Sequence, residues 1–305
     1  MSNADRPALG KRMRWRAEAG LIHGWLGLCR SLSVDRASDL GARIGQTVGP
    51  RLPYSDKALA NMRLALPDLT ADDRRRILRA MWANLGRQAA EYPHLPTLAD
   101  QDAGHVEIRG LPHLQPTIDG HRPAVVVGAH LANFEVMHVL LARLVRPCLF
   151  VVREPNNPRV ARPLDAWRRV GGGTTAPKGP QGKHDSLDVL AANGLVVLLA
   201  DQRMSDGIQA SFFGHIAGTP PGPAVLAEHT GAPLLPVRME RTGPTRFRLT
   251  VEPPIAIPDT ADAAARRRQV TEAVNRRFEA WIRDRPADWL WLHRRWPKDA
   301  ARDAP

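Results

Sequence analysis

The chain has 305 residues and a formal net charge of +12, from 43 basic and 31 acidic side chains. An apolar share of 43% supports a full core, in one large α/β domain or two small ones. The charge points to an anionic partner: phospholipid, phosphorylated substrate, acidic carrier protein or nucleic acid. Cys29 and Cys148 are the only cysteines, which excludes a disulfide framework and a thiolate metal site and suits a reducing, cytoplasmic-side setting.

Residues 1–10 are polar. Residues 11–32 join Lys11, Arg12, Arg14 and Arg16 to a short apolar patch, Leu21-Ile22 and Trp25 to Leu28, interrupted by His23 and Arg30. That is too short and too charged to span a bilayer, and no small-residue cleavage site follows. Two readings stay open for it: an amphipathic helix lying on a membrane surface, or a helix packed on the domain's own core. Helices are predicted over 13–29 and 34–48, and a short one around Asn61 to Leu64 is closed by Pro67. Thr70 opens a strong helix with Asp73 as an approximate capping box and an apolar stripe of Ile77, Leu78, Met81, Trp82, Leu85 and Ala89. Pro93 and Pro96 end it.

Strands are predicted at 105–108, 124–128, 148–152, 195–200, 233–239 and 247–251. Helices are predicted at 133–145, 159–169, 185–192, 221–230 and 262–282. This alternation gives an α/β fold: a mostly parallel central sheet covered by helices, with a helical N-terminal layer. One domain is expected, divided into the helical layer (1–100), the α/β core (101–260) and a C-terminal helix with a Trp/Arg-rich end (261–305).

The stretch AVVVGAHLANFE, residues 124–135, reads as a buried strand, a polar turn and the start of an apolar helix. In open α/β sheets such a turn at the strand's carboxyl end is where ligands bind. Within one helix, five positions would turn Glu135 about 140° away from His130. The two can meet only if His130 precedes the helix and Glu135 lies in its first turn, which Asn133 can cap. Glu135 would then hold one ring nitrogen and raise the basicity of the other, giving a general base with its orienter. The opposing reading is a turn histidine on a backbone carbonyl beside an ordinary helix-start acid. A zincin metal site fits poorly, because His130 has no histidine four residues on.

Four further groups stand out. Arg153 ends the strand at 148–152 and can clamp a phosphate or pair with a helix acid. Gly171 to Gly173 precede Lys178 and Lys183; no P-loop order is present, so the glycines read as a loop and Lys178 as an anion contact. Asp201 ends the strand at 195–200, where a carboxylate orients a base or closes a turn. Phe212 and Phe213 either line an apolar slot or join the core. At the C-terminus Trp281, Trp289, Trp291 and Trp296 alternate with arginines. That pattern suits a lipid headgroup interface, a domain edge where tryptophans cover the core, or stacked single-stranded RNA, against which the lack of an RNA-binding motif argues.

GAHLANFE at 128–135, NNP at 156–158, DQRMSDGI at 201–208, SFFG at 211–214, TGAPLLPV at 230–237 and WLWLHRRW at 289–296, in that order, resemble the lipid A biosynthesis lauroyl/myristoyl (late) acyltransferases, within the lysophospholipid acyltransferase superfamily. The likeness runs from about residue 15 to 297. It implies His130 as general base, Glu135 as its acidic partner, Asp201 as the aspartate of the third block and Arg153 as a phosphate contact. It implies an acyl carrier protein thioester as donor, a lipid A precursor as acceptor, and attachment to the cytoplasmic face of the inner membrane, with an anionic membrane surface as a third partner and no nucleic acid. Acylation of glycerol 3-phosphate or a lysophospholipid is the alternative.

Two departures accompany the likeness. Where many members carry an arginine, this chain has Gly171 to Gly173, with Arg168, Arg169 or Lys178 as substitutes, and the N-terminal membrane helix is faint. The donor is already activated as a thioester, so no metal or other cofactor is expected. His130 would deprotonate the acceptor hydroxyl, Lys178 and Arg153 would hold anionic groups, and Phe134 and Phe212 would line the acyl slot.

Overall fold

The structure, a computed structural model, describes residues 9–153 and 155–297; residues 1–8 of the polar start lie outside the described residues. The N-terminal layer consists of α1 (Leu9–Ser31), α2 (Val34–Val48), α3 (Tyr54–Ala65), α4 (Ala71–Glu91) and the single turn α5 (Leu95–Leu98). The core follows as β1 (Val106–Arg109), α6 (Gln115–Ile118), β2 (Ala124–Gly128), α7 (Phe134–Leu144), β3 (Cys148–Val152), α8 (Pro158–Arg168), β4 (Thr174–Pro177), α9 (Pro180–Ala191) and β5 (Leu195–Leu199). The hairpin β6 (Ile208–Phe212) and β7 (His215–Thr219) comes next, then α10 (Gly222–Thr230), β8 (Leu234–Gly243), β9 (Arg246–Val251) and α11 (Ala263–Asp284).

The main sheet has seven strands in the order β1-β9-β8-β2-β5-β3-β4. All its pairings are parallel except β8 with β9. The α/β class and its helical N-terminal layer are therefore as the sequence pattern predicts. Alternation along the central strands explains the layers, because successive side chains leave opposite faces. Val125, Val127, Leu149 and Val196 pack on one side with residues of α3, α4, α10 and α11. Ala124, Val126, Phe150 and Val197 pack on the other with α7. With both faces covered, these strands are continuous apolar runs rather than alternating ones.

Thr70 and Asp73 form a reciprocal capping box that starts α4. One strand and a hairpin differ from the prediction. Thr174–Pro177, read as a glycine-rich loop, adds an edge strand parallel to β3. SFFG, read as an aromatic lining or part of the core, is the turn of the β6–β7 hairpin: Phe213 and Gly214 both have positive φ, 53° and 77°. Two successive residues of that kind make the tight turn that matches strand twist.

Candidate active site

His130 follows β2 and Asp201 follows β5, and these strands are parallel neighbours with Gly128 in register with Leu199. Each residue stands two positions beyond that matched pair, so the sheet itself brings the two side chains together. His130 Nδ1 lies 2.7 Å from Asp201 Oδ1, and the His130 backbone N–H donates to Asp201 Oδ2 at 3.1 Å. Trp289 Nε1–H donates to the same Oδ2 at 2.7 Å. Asp201 is 1% exposed. Burial pushes its carboxyl up, but the His130 ring, the Trp289 indole and the His130 amide outweigh that and bring it down to about 2. An ionised Asp201 fixes the proton of His130 on Nδ1 and leaves the Nε2 lone pair free for chemistry. Gln202 Nε2 lies 3.4 Å from that Nε2.

The tryptophan comes from the C-terminal segment, which is laced to the loop after β2. Ala132 N–H donates to Asp288 O at 2.8 Å, and Leu290 N–H donates to His130 O at 3.1 Å. Trp281, Trp289, Trp291 and Trp296 are all buried. The headgroup-interface and RNA-stacking readings of these tryptophans are thereby corrected: they cover the core, and one of them, Trp289, holds Asp201.

The expected pairing of Glu135 with His130 is also corrected. Asn133 accepts hydrogen bonds from the Glu135 and Val136 amides and starts α7 at Phe134. The helix turns Glu135 into the interior, where it is fully buried, while His130 stays at the sheet edge. Glu135 accepts from Tyr92 Oη at 2.6 Å and from Arg168 Nε and Nη2 at 2.9 and 2.6 Å. His138 Nδ1 sits 3.4 Å from its other oxygen. Burial raises the Glu135 carboxyl, yet His138 and Arg168 together hold it well below the ordinary range. Burial lowers the pKa of His138, outweighing the Glu135 carboxylate that raises it. Of the three basic residues near the Gly171–Gly173 stretch, Arg168 is the one paired with Glu135. Phe134 separates the two centres, its ring 4.9 Å from His130 and 6.0 Å from His138.

Asn133 is itself braced: its Nδ2 donates to the buried Glu91 at 2.7 Å. Arg241 of β8 clamps both oxygens of that carboxylate at 2.8 Å each. The loop holding His130, with Ala132 at φ 48°, is thus fixed from α4 and β8.

The remaining predicted residues divide. Lys178, just after β4, and Arg153, just after β3, are exposed at the same carboxyl edge. Surrounding protein atoms lower the Lys178 pKa, Asp201 raises it and Arg153 lowers it. Asp201 is enclosed and orients His130, so its assignment as a substrate contact is corrected. Phe212 is corrected too: it is fully buried among Phe213, Trp289 and Trp296, with the Arg295 guanidinium 4.5 Å from its ring.

A cavity of about 270 Å³ opens between α9, the end of β5 and the start of α10, lined by Val151, Ser186, Leu198, Leu199, Val225 and Leu226, with Lys178 also on its wall. A larger cleft of about 700 Å³ runs between α1 and α8, with Lys11, Arg14 and Trp15 on one wall and Asn156 and Asn157 on the other.

Sequence reasoning did not single out Tyr92, or assign Trp289 and Gln202 their contacts. The signal for Gln202 was adjacency to Asp201. Trp289 had none, because its partner is 88 residues away.

A histidine held by a buried carboxylate stands at the carboxyl edge of a parallel sheet, with an apolar cavity and two cationic side chains at the same edge, an arrangement fitted to general-base chemistry. The family profile described as bacterial lipid A biosynthesis acyltransferase matches residues 9–298, and the chain belongs to that family. A phosphatidylinositol mannoside acyltransferase of Mycolicibacterium smegmatis (strain ATCC 700084 / mc(2)155) is 29% identical over 73% of this chain and 73% of its own length. The lipid A biosynthesis palmitoleoyltransferase of Escherichia coli (strain K12) is 26% identical over 84% of this chain and 83% of its own. The lauroyltransferase of the same strain is 26% identical over 77% and 76%.

Proposed function

We propose that this acyltransferase moves a fatty acyl chain from an acyl carrier protein thioester to a hydroxyl of a lipid A precursor. The observation that carries the reading is the His130–Asp201 pair, which leaves Nε2 as an acceptor for a hydroxyl proton; an apolar cavity lined by Ala200 and Lys178 opens along the same strand ends. The acceptor hydroxyl gives its proton to Nε2 as its oxygen attacks the thioester carbonyl, and Asp201 stabilises the imidazolium that forms. The cavity takes the acyl chain, and Lys178 and Arg153 meet anionic groups of the acceptor or donor.

A second acceptor class, a mannosylated phosphoinositide, is favoured by the 29% identity to the mycobacterial enzyme. The test is incubation of the purified chain with carrier-protein thioesters and, separately, an under-acylated lipid A precursor, a mannosylated phosphoinositide and lysophosphatidate. Products are weighed by mass spectrometry. A product from the first acceptor supports the proposal. A product from either of the others alone replaces the acceptor, and no product from any rejects acyl transfer.

For localisation we propose peripheral attachment to the cytoplasmic face of the inner membrane. No helix among the described residues is long and apolar enough to cross a bilayer. One side of α1 packs inward through Ala19, Leu26 and Cys29, while Met13, Leu21 and Leu28 stay exposed, Leu21 at 77%. Ile44, Val48 and Tyr54 of the next two helices are also exposed. With Lys11, Arg12, Arg16 and Arg30 nearby, this surface suits an anionic leaflet, each basic group adding about 1 kcal/mol. Release by a high-salt wash supports it, and full solubility at low salt rejects it.

A further inference from the structure

We infer that Gln202 is a catalytic residue: its side-chain amide donates to the carbonyl oxygen that becomes negative during acyl transfer. The inference rests on the acyl-transfer reading. Acyl transfer needs a hydrogen-bond donor fixed where the oxyanion forms, and several backbone amides around His130 are committed elsewhere. The His130 N–H is on Asp201. Leu131 N–H donates to Ala129 O, Ala132 N–H to Asp288 O, and Ala200 N–H to Gly128 O. Arg203 N–H donates to the His293 ring at 3.1 Å, and the Trp289 indole is spent on Asp201.

The Gln202 amide faces the reacting atom instead, 3.4 Å from His130 Nε2. Nδ1–H is pinned on Asp201, so Nε2 is an acceptor and the Gln202 –NH₂ is its donor in the free enzyme. The arriving hydroxyl takes that lone pair with its own proton. Its oxygen then lies between Nε2 and the carbonyl carbon, which puts the carbonyl oxygen about 3 Å from a displaced amide donor. Gln202 is half-buried on an irregular segment rather than locked in the core, so its side chain can make this exchange.

The step balances. The hydroxyl oxygen forms a bond to the carbonyl carbon while its proton passes to Nε2. The carbonyl π pair moves to oxygen, where Gln202 N–H receives it. When the pair returns, the C–S bond breaks, and the thiolate takes the proton from Nε2 and leaves as the carrier protein's thiol. The ester remains on the acceptor and His130 is restored.

The test uses the full chain and two donor analogues: an acyl phosphonate, whose tetrahedral anion imitates the addition intermediate, and an unreactive acyl amide. Gln202→Ala and Gln202→Glu are expected to lose about 10²- to 10³-fold in kcat with both KM values unchanged. They are also expected to lose affinity for the phosphonate by a similar factor while binding the amide as the parent does. Gln202→Asn recovers part of the loss. Parent-like kcat in both variants overturns the inference, as does equal loss of affinity for the two analogues, which marks a structural role. A parent chain that shows no turnover and binds neither analogue rejects the acyl-transfer reading itself.

Discussion

Trp289 and His130 hold opposite sides of one carboxylate: the indole donates to Asp201 Oδ2 at 2.7 Å, and the imidazole meets Oδ1 at the same distance. The base is therefore oriented through two contacts from distant parts of the chain. Asp201→Asn is expected to lower turnover about 10²- to 10⁴-fold, the range for a lost general base, because an amide no longer stabilises the imidazolium. Trp289→Phe keeps the packing and removes one donor, so its loss is expected to be smaller. Rates per folded molecule, measured beside thermal unfolding, check the order; a larger loss in Trp289→Phe contradicts it.

Glu135 is expected to behave differently from Asp201. It is fully buried, neutralises the half-buried Arg168 and anchors Tyr92, and does not touch His130. Breaking a buried ion pair on one side costs about 3–5 kcal/mol. Glu135→Gln is therefore expected to lower the denaturant midpoint markedly, and to reduce turnover per folded molecule less than Asp201→Asn does. An unchanged midpoint with abolished turnover would return Glu135 to the chemistry.

Much of this was legible in the sequence and one central pairing was not. The strand, turn and helix around His130 followed from AVVV, Asn133 and the apolar run after it, since these are local signals. Glu135 drew attention by proximity in sequence, yet a helix cap between it and His130 turned it inward. Asp201 was visible as a strand-end acid, but its role depends on β2 and β5 being neighbours in register. A pairing 71 residues apart is set by sheet order. The same reason hid Trp289. Phe212 looked like a slot residue because exposure cannot be read from type.

Stability is expected to fall as pH drops from about 7 to 5. Burial lowers the pKa of His138 and of His293. Each unfolded histidine titrates near 6.5. Below that value the unfolded chain binds the proton that the fold refuses. Their contribution is complete above the unfolded value and is lost as pH falls through the depressed folded values. Asp201 adds a separate acid limb, complete above about 3.9 and lost as pH falls through about 2. Denaturant midpoints across pH check this, and the double variant His138→Gln/His293→Gln is expected to flatten the limb between about 7 and 5. A parent profile already flat there contradicts it.

The cavity between α9 and α10 is expected to set donor chain length. Val225 is on its wall and only partly buried, so Val225→Phe fills space at a cost of about 1–3 kcal/mol. Each methylene that no longer fits is worth roughly 10- to 200-fold in selectivity. Competition between carrier-protein thioesters of different length is expected to shift toward shorter chains. An unshifted preference would place the acyl chain elsewhere, with the α1–α8 cleft as the next site to fill.

The most direct measurement is acyl transfer by folded His130→Ala, assayed with carrier-protein thioester and an under-acylated lipid A precursor beside the parent chain. His130 sits in a turn at the sheet edge, so its removal is expected to leave the melting temperature nearly unchanged, while turnover falls at least about 10²-fold. Parent-level acyl transfer in folded His130→Ala would contradict the mechanism at its centre.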